Sequence, residues 1–359
     1  MLLAALTLAA DTRHQSRRHR NHPPNAPKVF DLVLFNHEYD TVPLRIAELG
    51  KHVDAIIFAQ TAFTFSSGAA KASQFPVLAP SDAAKVRRAI LNATPAACWS
   101  PRFSGDFYPP LKSARSSSKL PWCIQSAVRN MLGLLFERAG GGDDDWALIS
   151  DADELAQGST VARLRRINPR TVKGVIILES IHHFKYTLRC AEVSSFTRGP
   201  IAVSGKVLRE LGAQRARDSG RRSCLPVGYR GSCGRVNRRS WPGSSWQFSN
   251  FGGVQSLKYK LKTNSFAASA KLMDDALVLE RERGCHDHLD RGKAYDFNVT
   301  GWDASHLPHP PDVPRFVEKE LLRGRLRHFV DISAPVEVTR LTGLAGDDPG
   351  LWAMLPTLS

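Results

Sequence analysis

The chain has 359 residues with an ordinary apolar content of 42%, enough for one large domain or two smaller ones with a real core, which excludes wholesale disorder. Its formal charge of +15 suits a nucleic acid, an anionic membrane surface or an anionic substrate such as a nucleotide. One basic block lies near the N-terminus (Arg13, Arg17, Arg18, Arg20), and a second, from Lys206 to Arg239, holds ten Lys and Arg. No zinc-finger, RNA-recognition or helix-turn-helix pattern accompanies the second block, so 205–240 reads as a solvated basic surface loop and nucleic acid ranks last among partners.

Leu2 to Ala10 is apolar but far too short to span a bilayer, and it looks like a signal-peptide core without the usual basic start. Membrane association, if any, is expected only through this end. Residues 11–27 are polar, basic and proline-containing, a flexible stem, so 1–27 is leader plus stem, 28–333 the folded domain and 334–359 a C-terminal tail.

Order is expected from Val29 to Phe35, a β-type run, followed by a helix from Pro43 to Leu49 and a second strand from Val53 to Ala59. Ser81–Leu91 reads as a helix with Ser81 as its cap, and 95–121 as irregular. The best amphipathic helix is Trp122–Arg138, stopped by Gly140-Gly141-Gly142. It feeds a buried strand, Trp146 to Ile149, which ends in Ser150-Asp151-Ala152-Asp153-Glu154. A short helix at Ser159–Arg166 and a strand at Val175–Leu178 follow. The alternation predicts an α/β fold with a mostly parallel central sheet flanked by helices. Trp241–Gly253 reads as a loop, Lys271–Arg283 and Phe316–Leu322 as helices, and Leu307–Pro314 as a turn.

Asp151 and Asp153, one residue apart at the end of a strand, can hold one hard divalent cation between them, at the sheet edge where α/β proteins bind ligands. The competing reading is a helix cap, because Ser150 and Asp153 also fit an N-terminal capping pattern. The six cysteines include no Cys-x-x-Cys pair, which argues against zinc ribbons and thioredoxin-like chemistry. Cys224 and Cys233 flank a Gly/Pro-rich stretch and can close a disulfide. Asn298-Val299-Thr300 is an acceptable glycosylation sequon, and Asn92-Ala93-Thr94 a poorer one before Pro95.

Four stretches, in order, resemble glycosyltransferase family 17, whose known members are β-1,4-mannosyl-glycoprotein N-acetylglucosaminyltransferases that add bisecting GlcNAc to N-glycans. They are Phe35-Asn36-His37-Glu38-Tyr39-Asp40 with Leu44-Arg45, Glu48-Leu49 and Val53-Asp54; Trp122 with Arg129-Asn130; Ile149-Ser150-Asp151-Ala152-Asp153-Glu154; and Trp246-Gln247-Phe248-Ser249-Asn250-Phe251-Gly252-Gly253 leading to Ser265-Phe266-Ala267. The sequence departs from the family pattern at Gln247 (usually His), Ala268 (usually His), Ala270 (usually Glu), Gln60 and Pro43 (both usually Glu).

The resemblance implies a GT-A-like nucleotide-sugar-binding fold and metal-dependent, inverting transfer from UDP-GlcNAc to an N-glycan or other oligosaccharide. It implies Mn2+ or Mg2+ as cofactor, and a place in the secretory pathway, in the Golgi. Asp153 is then the metal ligand, Asp151 serves metal or ribose, and Glu154 supports them. Asn36, Glu38 and Arg45 fall in the nucleotide-sugar loop, and Trp246 and Phe251 are candidates to stack on the acceptor sugar. Asp274 and Asp275 are weak candidates for the general base. His182 and His183 either reach the metal or phosphates or serve the fold. Competing readings are a transferase with another donor or acceptor, a degenerate homologue that binds glycan or nucleotide without turnover, and a basic nucleic-acid binder.

Overall fold

A computed structural model describes residues 26–71, 74–91, 120–192, 199–220, 237–263, 274–286, 298–299, 313–323, 325–333, 341–343 and 351–352. Its centre is built from the two apolar runs at the start of the domain. β1 (Val29–Leu34) and β2 (Ala55–Thr61) are buried along their whole length and pair in parallel, joined by α1 (Thr41–Leu49). Strands buried on both faces read as near-continuous apolar runs, which is why this unit is legible in the sequence.

β3 (Gln74–Pro76) and a four-residue helix, α2 (Pro80–Ala83), lead to β4 (Val86–Leu91), parallel to β2. The helix expected over Ser81–Leu91 is therefore corrected: only its first turn is helical. Val86 and Ile90 are β-branched and buried, and they extend the sheet. The amphipathic helix is present as α3 (Leu120–Arg138), and it delivers the chain to β5 (Trp146–Asp151), which pairs in parallel with the other edge of β1.

β6 (Glu154–Ala156), α4 (Gly158–Leu164), β7 (Gly174–Lys185), β8 (Thr187–Glu192) and β9 (Ile201–Ser204) follow. Then come α5 (Gly205–Leu211), α6 (Ala213–Gly220), β10 (Asn237–Ser249), α7 (Gly253–Thr263) and α8 (Asp275–Arg283). β11 (Asn298–Val299), α9 (Arg315–Leu322), β12 (Leu341–Gly343) and β13 (Leu351–Trp352) complete the order. One half of the sheet, β13-β4-β2-β1-β5, is parallel throughout. Beyond β5 the order β9-β7-β8-β11 is antiparallel, while β10 runs parallel to β7 and antiparallel to β6. The molecule is thus an α/β protein with an open, mixed central sheet flanked by helices, consistent with a GT-A-like fold. The change of strand direction falls at β5, the strand that carries the acidic residues.

Three further readings change. The start of the basic stretch is not loop, since Gly205–Leu211 and Ala213–Gly220 are helices. Ser204 caps α5 by accepting from Val207 N, and α6 buries Ala213, Ala216 and Arg217. With Gln214 and Ser219 buried as well, a buried face of two alanines and three polar residues carries almost no apolar periodicity, which is why it looks solvated in the sequence. Residues 221–236, with the suggested Cys224–Cys233 bridge, lie outside the described residues. Trp241–Gly253 is mostly strand rather than loop: β10 runs to Ser249, with a register shift between Trp241 and Ser245 where Gly243 takes a φ of 61°. The third change is in α8, which begins at Asp275 rather than Lys271.

Period-two alternation divides β1 between two cores. Phe30, Leu32 and Leu34 face α3 and α6, whereas Val29 and Val33 face α1 and α9. Asp31 lies on the α1 side, buried. A disulfide joins Cys190 of β8 to Cys285 just past α8, and Cys123 is also disulfide-bonded. Among the described residues no helix is long and apolar enough to cross a membrane.

Candidate active site

β5 is buried through Ser150 and emerges at Asp151, where a two-residue turn leads straight into β6. No helix starts here, so the capping alternative for Ser150 and Asp153 is not realised. The turn is fixed from three sides. Ala152 N donates to Leu34 O at 3.1 Å, Phe248 N to Asp153 O at 2.7 Å, and Asp151 N to Glu154 Oε2 at 3.0 Å.

Beneath the turn lies Arg45, 1% exposed. Its Nη1 donates to both carboxylate oxygens of Asp31 at 2.8 Å and to Ser150 Oγ at 3.1 Å. Its Nη2 donates to the carbonyls of Asp151 at 3.2 Å and Ala152 at 3.4 Å, and also to that of Glu154. A guanidinium occupied on this many sides and shielded from solvent braces the acidic turn from below.

The carboxylates are met by three cations from three helices. Arg129 of α3 donates to Asp151 Oδ1 at 2.6 Å, and Arg217 of α6 lies 3.1 Å from Asp151 Oδ2 and also pairs with Glu154. Lys260 of α7 is 2.9 Å from Asp153 Oδ2 and 3.5 Å from Glu38 Oε1. Asp151 is the more open carboxylate at 28% exposure, and Glu154 is enclosed at 4%. Burial pushes the Asp153 carboxyl up, and neighbouring Glu38 and Asp151 add to this against the pull of Lys260. For Glu38 burial also pushes upward, but the charges of His37 and Lys260 and the backbone N–H groups of His37 and Glu38 outweigh it and bring it down to about 2. Arg129, noted with the sequence motifs, joins the site. Arg217 and Lys260 were missed, since neither belongs to a motif and only the fold brings them to the turn.

Beside this cluster is a cavity of about 670 Å³, lined among others by His37, Tyr39, Lys71, Tyr259, Lys262 and Thr263. The acidic turn does not line it; the link runs through the β1–α1 loop, where His37 faces the cavity and Glu38 faces Lys260. Asn36 accepts from Lys71 Nζ, and burial lowers the Lys71 ammonium to about 8. His37 packs edge-on against Tyr259 with ring centroids 5.3 Å apart, and its Nδ1 has no hydrogen-bond partner among the described residues.

Burial brings the His37 imidazole down from 6.5 to about 4, Glu38 opposing and Lys260 and Lys71 adding to the shift. The unfolded chain therefore takes up this proton first. Stability present above pH 6.5 is lost as pH falls towards 4, on the order of 3 kcal/mol from this one group. Thermal melts between these limits should show a downward slope that His37→Gln flattens; an unchanged slope would assign the loss to other groups.

Several expected contacts lie elsewhere. Trp246 and Phe251 both pack into the core, Phe251 against Phe248 and Phe329 with centroids at 5.4 and 4.8 Å. Asp274 caps α8 by accepting from Leu277 N at 2.7 Å, and Asp275 pairs with Lys258 at 2.7 Å, so the two base candidates have structural partners. His183 Nε2 is 2.9 Å from Ser249 Oγ, and His182 packs against Phe184. Gln60 donates to Gln74 O, Pro43 lies in α1, and Gln247 pairs across the ladder with Glu154. Ala268 and Ala270 lie outside the described residues.

Carboxylates stand here at the C-terminal edge of the parallel half of an α/β sheet, where such proteins bind ligands, beside a roomy cavity and ringed by cations. A family model described as Glycosyltransferase family 17 matches residues 10–193, and the chain belongs to that family. The match takes in the β1–α1 loop, Arg129 and the whole acidic turn, while Arg217 and Lys260 lie beyond it. No curated protein matches the chain. Membership makes the chain a glycosyltransferase, with a nucleotide-sugar donor and a glycan acceptor in general terms.

Proposed function

We propose that the chain transfers N-acetylglucosamine from UDP-GlcNAc, with inversion, to a mannose of an N-glycan core in β-1,4 linkage, in the Golgi. The observation that carries this reading is the convergence of Glu38, Asp151 and Asp153 at the adjacent ends of β1 and β5, beside the cavity. In this reading the β1–α1 loop, with Asn36 and Glu38, meets the nucleotide, and the 670 Å³ volume beside it suits a nucleoside diphosphate. The Cys190–Cys285 disulfide agrees with an oxidising compartment.

The donor set suits a hard divalent cation, Mn2+ or Mg2+, because every candidate atom is a carboxylate oxygen. Among the described residues no group of three or more His, Cys, Asp or Glu side chains forms a metal cage. In this reading the cation is held by one or two carboxylates and completed by substrate phosphates. Asp153 is the principal ligand in this reading, as its Oδ1 carries no partner among the described residues, and Asp151 is the second. When bound, the cation would neutralise charge growing on the departing UDP. The protein's own part is to hold Asp151 and Asp153 still through Arg45, Arg129 and Arg217, and to keep positive charge from Lys260 and Lys71 close to the diphosphate.

A related transferase with another donor or acceptor is the second reading, favoured by Gln247, which lies opposite Glu154 at the turn where the family has His. The test is a panel of UDP- and GDP-sugars offered with Mn2+ and N-glycan acceptors, read by mass spectrometry. One N-acetylhexosamine added from UDP-GlcNAc is expected. Transfer from a different donor would replace the first reading by the second, and binding of donor without turnover would leave a degenerate homologue.

A further inference from the structure

We infer that Lys260 occupies the cation position of the acidic site in the free chain and must leave it before a divalent cation binds, so that cation and donor load together. The inference rests on the function proposed above. The Lys260 ammonium bridges two carboxylates from different loops, 2.9 Å from Asp153 Oδ2 and 3.5 Å from Glu38 Oε1. All three side chains are largely enclosed, so little water separates the charges. A cation taken up by Asp153 at ordinary oxygen-ligand distances, about 2.0–2.6 Å, would share one carboxylate with that ammonium, and the two positive charges would repel strongly.

Charge balance points the same way. Four carboxylates (Glu38, Asp151, Asp153, Glu154) face three cations (Arg129, Arg217, Lys260). Adding a divalent ion with Lys260 in place leaves the cluster with excess positive charge. The negative diphosphate of the donor removes that excess and offers the displaced ammonium a new partner. Arg129 and Arg217 cannot yield in its place: each is nearly sealed from solvent and donates to Asp151. Lys260 is a compact charge on a flexible four-carbon stem, the group most able to swing aside.

The test is Mn2+ binding to the full chain, followed by electron paramagnetic resonance of free Mn2+ with and without UDP. In the wild type, UDP should tighten Mn2+ binding by about tenfold or more. Lys260→Met should bind Mn2+ without UDP about tenfold more tightly than wild type and lose most of the UDP enhancement, whereas Lys260→Arg, which keeps the charge, should retain it. Lys260→Gln, which keeps a hydrogen-bond donor, reads the same effect if the Met variant does not fold. Mn2+ binding by the neutral variants that is equal to or weaker than wild type overturns the inference and leaves the transferase reading intact. No Mn2+ binding by any form, with or without UDP, overturns the metal-dependent reading as well.

Discussion

Arg45→Met is expected to lower stability by about 3–5 kcal/mol, because it leaves a charge and several carbonyls buried without their partner. Asp31 and Arg45 are each 1% exposed, in the sheet's interior. Without the guanidinium, the Asp31 carboxylate, whose proton affinity is already raised by burial, has no counter-charge. It must either take up a proton or draw in water. The carbonyls of Asp151, Ala152 and Glu154 lose the same donor, so the acidic turn should loosen as well as the core. Urea unfolding measures the first effect. The pair Asp31→Leu with Arg45→Met separates the two: removing both charges should recover much of the stability but not the turn, so donor binding should remain weak. Full recovery of donor binding in that double variant would show that the brace has no part in shaping the site.

The part of this molecule legible in its sequence is the part built from local pattern. Val29–Leu34 and Ala55–Thr61 announce themselves as buried strands by uninterrupted apolar residues, α3 by its amphipathic run and glycine stop, and the acidic turn by carboxylates at a strand's end. The antiparallel half is hidden for a physical reason. β10 contains Ser240, Pro242, Gly243, Ser244 and Ser245, which mask its alternation, and its pairing with β6 and β7 is fixed by distant partners. The same holds at the site. Arg129, Arg217 and Lys260 stand 22, 66 and 107 residues from the aspartates they pair with. Nothing in the local sequence of α6 or α7 marks one basic residue among many as a buried counter-ion. For Trp246 and Phe251 the motif suggests a sugar platform, while the fold packs both into the core.

Asp153→Asn isolates the central claim, that the acidic turn works on the donor rather than merely holding the fold. The substitution preserves shape and removes one negative charge from a cluster where burial, Glu38 and Asp151 already disfavour it. Lys260 keeps Glu38 as a partner. Stability should therefore change by no more than about 1 kcal/mol. Activity is a different matter, because the principal cation ligand is lost along with the charge that holds Lys260 in position. Transfer should fall roughly a hundred- to a thousandfold. The deciding measurement is the rate of N-acetylhexosamine transfer from UDP-GlcNAc to an N-glycan, read by mass spectrometry with wild type and Asp153→Asn side by side, their melting curves matched. Transfer by the wild type and its near-complete loss in an equally folded variant is the predicted result; an Asp153→Asn chain that transfers at the wild-type rate would contradict it.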